Sequence, residues 1–86
     1  MAISNYTATT TSGIAVASKQ NRQQLVISNT GVNNAFLNIG EASQADKGIF
    51  LVSNGGTWIM ESDTYSRESI TAITSTGTTN LSIYEV

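Results

Sequence analysis

Asn21–Gly40, NRQQLVISNTGVNNAFLNIG, is the stretch whose pattern decides the fold. Leu25 and Ile27 point to one side of the backbone, while Gln24 and Ser28 point to the other. Further on, Ala35, Leu37 and Ile39 share a face opposite Phe36 and Asn38. A period of two is what a half-buried strand requires, and a helix would scatter these residues around its circumference. Between the two runs, Asn29-Thr-Gly-Val-Asn-Asn34 supplies residues that accept the positive φ angles of tight turns. The segment therefore reads as a β-hairpin.

The same grammar repeats in both directions. Ile14 and Val16 alternate with Ala15 and Ala17 after Gly13, before the polar cluster Ser18–Asn21. Glu41–Lys47 is a polar loop or a single helical turn. Ile49-Phe-Leu-Val52 is a continuous apolar run, expected of a strand buried on both faces or covered by a partner. Ser53-Asn-Gly-Gly56 is the strongest turn signal and joins that run to Thr57–Glu61 as a second hairpin. A polar loop over 62–68, a strand over Ser69–Ser75, a turn around Gly77 and a closing strand over Asn80–Val86 complete the chain. Seven or eight short strands at this spacing predict an all-β domain, an antiparallel β-sandwich or jelly-roll-like barrel without a substantial helix. The domain is expected over 13–86. Residues 1–12, polar and Thr-rich with Ile3 and Tyr6 as apolar anchors, are expected to be a frayed terminus or an extended N-terminal arm reaching a neighbouring subunit.

Composition removes most chemistry. The chain has 86 residues, no cysteine and no histidine, so disulfides, thiolate metal sites and the usual neutral-pH general base are missing. Glu61, Asp63 and Glu68 could be imagined as a glycosidase carboxylate pair, but they read better as solvated loop residues. Lys47 lies near no strand-turn-helix elbow that would activate a serine. Glu41 and Asp46 match no calcium-loop spacing, and Gly55-Gly56 is followed by no Lys-Ser/Thr pair. An enzyme is not expected, nor is a cofactor or metal. The net charge is −2, and the four cations Lys19, Arg22, Lys47 and Arg67 are scattered, which argues against nucleic acid. No apolar run approaches the ~18–20 residues of a membrane helix. The start of the chain lacks a secretory pattern, so synthesis and folding in the cytoplasm of the cell that makes it are expected.

Residues left outside the alternation carry the functional hint. With Leu25, Ile27, Leu37, Ile39, Leu81 and Ile83 facing a core, Val26, Phe36 and Tyr84 face outward. Either Trp58 with Met60, or Ile59, must do the same, and so must one of Phe50 and Leu51. Several such residues make a patch, and patches mark interfaces. Ile3, Tyr6, Val26, Phe36, Phe50, Trp58, Ile59 and Tyr84 are thus the candidate oligomer and docking residues. Phe36→Asp or Ile59→Asp is expected to block assembly and leave the fold intact. Arg22 is expected to bond loop carbonyls or a carboxylate at the rim. Asn29 is expected to form a turn through its side chain, and Gly31, Gly40, Gly55 and Gly56 to supply backbone freedom.

Asn21-Arg22, Leu25–Asn29, Ala35–Gly40, Gly48 before Leu51, Gly55-Gly56-Thr57, Ile70–Ile73 and Leu81–Val86 together resemble small virion proteins of tailed bacteriophages. The resemblance runs through most of 13–86, and it most suggests a head decoration (cement) protein. It implies a trimer on the outer surface of the head, bound across subunits of the major capsid protein and holding the shell against internal pressure. The rival is a glycan-binding fibre or tail domain that stacks sugars on Trp58, Tyr65 and Tyr84. A third reading is a neck or tail adaptor using the same apolar patch.

Overall fold

Wherever the sequence alternates, the chain runs extended. The computed structural model describes residues 2–18, 22–60 and 68–86. They form eight strands: β1 Ala2–Ala8, β2 Gly13–Val16, β3 Leu25–Asn29, β4 Ala35–Ile39, β5 Ile49–Leu51, β6 Thr57–Met60, β7 Ile70–Thr74 and β8 Thr79–Glu85. Two four-stranded antiparallel sheets result, ordered β1-β8-β3-β6 and β2-β7-β4-β5. Each strand of the first half pairs with its mirror in the second: β1 with β8, β2 with β7, β3 with β6, β4 with β5. The chain is thus one long nested hairpin, with its tip between β4 and β5, folded over on itself so that the halves of each arm fall in opposite sheets. That winding is the jelly-roll form of the β-sandwich.

The chain bends over Asn29–Asn34, but without the positive φ angles expected there, and β3 and β4 are not a hairpin. They lie in different sheets, and the connection arches over the core. The strand over Ile49–Leu51 and that over Thr57–Met60 are likewise separated, although Asn54 and Gly55 adopt φ of 59° and 126° as the turn signal implies. Among the described strands, only β4–β5 is joined as a hairpin; the other six connections cross between sheets. The physical reason lies in burial. A hairpin places Leu25, Ile27, Ala35 and Leu37 side by side on one sheet, which still needs a second layer to cover it. An arch sets the two strands face to face and buries both at once.

The segment expected as an arm also folds differently. Ala2–Ala8 pairs with β8 of the same chain in unbroken register, from Ala2 opposite Glu85 to Ala8 opposite Thr79. Ala8 is fully buried, and Thr74 N–H donates to the Thr9 carbonyl at 2.8 Å, tying the end of β1 to the second sheet. Residues 2–8 are an integral edge strand.

Between the sheets lie Leu25, Ile27, Leu81, Ile83 and Met60 from the first, and Val16, Ala35, Leu37, Leu51, Ile70 and Ala72 from the second. Each fully buried Leu or Ile contributes about 1.5–3 kcal/mol. Tyr6 and Trp58 pack against this core from the first sheet.

Two buried polar side chains join the sheets. Arg22 is fully buried: Nε donates to Glu85 Oε2 at 2.8 Å, and its terminal nitrogens donate to the carbonyls of Glu68 at 2.9 Å and Ala17 at 2.7 Å. It thereby links the end of β8 to the segments flanking β2 and β7. Asn29 does the same from the end of β3. Its amide donates to the carbonyls of Asn33 and Leu51, and its oxygen accepts from Gly31 N–H and the Thr79 hydroxyl. A side chain at Gly31 would collide with Thr79 Oγ1 and lie 2.6 Å from Asn80 N, so only glycine lets this arch close.

Candidate functional site

The register of the first sheet sets its outward side chains in rows. Ile3 lies opposite Tyr84, Tyr84 opposite Val26, and Val26 opposite Ile59, one residue from each of the four strands. Neighbouring strands are about 4.8 Å apart, so these side chains touch in sequence across the whole sheet. Ile3 is 76% exposed and Ile59 53%, while Val26 and Tyr84 between them are half-buried. The next row is Asn5, Ser82, Ser28 and Thr57, with Ser28 and Thr57 hydroxyls 3.1 Å apart. Beyond it, Thr7 faces Asn80, whose amide donates to Thr30 Oγ1 at 2.9 Å. The four strands hold one charged residue, Glu85, and it turns inward to Arg22. Among the described residues the result is a face without charged side chains, with an apolar bar along one side.

The outer face of the second sheet is arranged otherwise. Ile73, Phe36 and Phe50 make one row, with the two phenyl rings 5.4 Å apart and tilted by 42°. Phe36 and Ile73 are nevertheless buried, whereas Phe50 on the edge strand is 53% exposed. The adjoining row contains Thr71, covered by the loop that follows β4. The Thr71 hydroxyl donates to the Glu41 carbonyl at 2.6 Å and accepts from the Ser43 hydroxyl at 2.7 Å, and Ser43 is itself buried. A cleft of about 200 Å³ lined by Asn38, Gln44, Lys47 and Gly48 opens beside this loop. It is smaller than a small-molecule site and offers no nucleophile with a base.

The eight interface candidates therefore separate into three groups. Ile3, Val26, Ile59 and Tyr84 come together in a single row. Phe50 and Phe36 lie on the opposite face of the molecule, and Phe36, expected to be exposed, is buried by its neighbours in that face. Tyr6 and Trp58 turn inward: Tyr6 reaches across to Gly13 on the second sheet, and Trp58 sits opposite Ile27 on the core side. The Ile49–Val52 run is not buried on both faces, because β5 is an edge strand and Phe50 and Val52 are exposed. Gly40 and Gly55 take positive φ, and a side chain at Gly56 would meet Val52 backbone at 2.5 Å. The readings at Glu61, Asp63, Tyr65 and Arg67 lie outside the described residues. Sequence reasoning missed Ile73, Thr71 and Ser43, since their burial depends on a loop and strands distant in the chain.

Among the described residues no cluster of His, Cys, Asp or Glu could hold a metal ion, and no helix is long and apolar enough to cross a membrane. No protein-family model matches the chain, and no curated protein or solved structure does so either.

Proposed function

We propose that this domain is a non-enzymatic structural protein of a tailed-bacteriophage virion, a head decoration protein that docks on the major capsid protein through the outer face of its first sheet. The observation that carries the reading is the Ile3–Tyr84–Val26–Ile59 row on a face whose described residues carry no outward charge. Burying this row removes no described charge from water, and the surrounding Ser, Thr and Asn side chains supply a polar rim able to hydrogen-bond. Jelly rolls are common in viral shells and also in lectins, so the fold is an analogy and the face is the argument. The mechanism is mass action. A subunit that binds the assembled shell and not its dissociated parts stabilises the shell by its binding free energy, multiplied over many copies.

The glycan-binding alternative draws less support. Of its three stacking platforms, Trp58 packs on the core, Tyr65 lies outside the described residues, and Tyr84 stands in the outward row between Ile3 and Val26. A neck or tail adaptor would use the same face but in few copies. The deciding experiment adds purified protein to heads stripped of accessory proteins. Hundreds of bound copies, a raised temperature of genome release, and loss of both with Val26→Asp or Ile59→Asp are expected. Binding in only a few copies, or undiminished binding of both variants, would overturn the proposal.

A further inference from the structure

Four strands lie at sheet edges, and three are blunted in the ways natural proteins use against unwanted pairing. β5 has three residues, β6 has four, and β2 has four with a register shift between Ile14 and Val16. β1 is the exception. It runs for seven residues without a bulge, carries no charge and no proline, and has β8 as its only sheet neighbour among the described strands. It is also tied down at its far end: Tyr6 reaches Gly13 beneath it, Ala8 is buried, and the Thr9 carbonyl accepts from Thr74 N–H on the second sheet. The edge is a preformed template.

We infer that β1 pairs with β1 of a second copy of this chain, antiparallel about a twofold axis at Asn5. A second copy fits because an antiparallel strand is its own complement in that geometry, and residues 3–7 of each strand, which are open to solvent, find partners. Protein copies of net charge −2 repel one another, but this strand sets no charge against its image. The pairing places Ile3, exposed at the end of the apolar row, beside Thr7 of the second copy. It joins two four-stranded sheets into one of eight and presents two apolar rows on a single face. The inference uses the edge and not the face, so it stands or falls apart from the docking reading.

The test exploits the absence of cysteine and a matched control. Asn5 and Thr57 share one row of the outer face but sit on opposite edges. Residues paired directly across an antiparallel twofold have Cα atoms roughly 4.5–5.5 Å apart, within disulfide range. Under oxidising conditions Asn5→Cys is expected to give a covalent dimer and Thr57→Cys to remain uncrosslinked. By sedimentation velocity the unmodified protein and Thr57→Lys are expected to run as dimers, and Asn5→Lys as a monomer with an unchanged melting temperature. Ile59→Asp, which should abolish docking, is expected to stay dimeric. An unmodified protein that sediments as a monomer or trimer, or crosslinking through Thr57→Cys in place of Asn5→Cys, overturns the inference. Should Asn5→Lys fail to fold, the cysteine pair decides.

Discussion

The two outer faces of this sandwich are built from the same alternating pattern, and both expose apolar side chains on their edge strands, but their middles are covered to different degrees. On the first sheet, the row Ile3–Tyr84–Val26–Ile59 lies open at both ends. On the second, Phe36 and Ile73 point outward as well but are buried, and Thr71 beside them is roofed by the Glu41–Ser43 loop. Orientation and exposure are therefore separate properties. Strand periodicity sets the first, and the side chains and loops that pack around a residue set the second.

Substitutions on each face can break or sharpen this contrast. The largest effect is expected where the sheets are tied together: Arg22→Met removes a buried ion pair and two carbonyl contacts, and should cost about 3–5 kcal/mol in chemical denaturation. If stability is unchanged, the faces are not held as one unit. Phe36→Asp should cost about 3–4 kcal/mol, because it deletes a buried ring and puts a charge in its place. A stable, fully folded Phe36→Asp would mean that the middle of the second face is as open as that of the first. Ser43→Ala should cost about 1 kcal/mol, by removing one hydroxyl from the bond to Thr71, with faster amide exchange over 41–45. The smallest effect belongs to Ile59→Asp. Exposed on an edge strand, it should stay within about 0.5 kcal/mol of the unmodified protein while docking is lost. Unfolding of this variant would place Ile59 in the structural core.

Much of the fold was legible because its signals are local. Leu25 with Ile27, and Leu37 with Ile39, declare their inward face within five residues, and Asn54 with Gly55 declares a turn. What the turn connects was not legible. Hairpin and arch require the same alternation and the same turn residues, and they differ only in the partner each strand finds later. Trp58-Ile59-Met60 shows the limit at the candidate site, since all three side chains are apolar and either face could have been the inner one. The register with Leu25 and Ile27 settles it, turning Met60 and Trp58 in and Ile59 out. Phe36 was misread for a related reason: its cover comes from Phe50 and Ile73, which no pattern within β4 announces.

The sequence by itself determined that this chain is an all-β protein of short strands, without cysteine or histidine, and with apolar side chains left over after a core was filled. Those properties follow from composition and from a period of two, which every strand carries alone. Tertiary structure decided which strands share a sheet, made Ala2–Ala8 an edge strand in place of an arm, and gathered four of the eight leftover side chains into one row. Strand pairing joins residues far apart in the chain, as Ile3 meets Tyr84, so no local pattern can specify it.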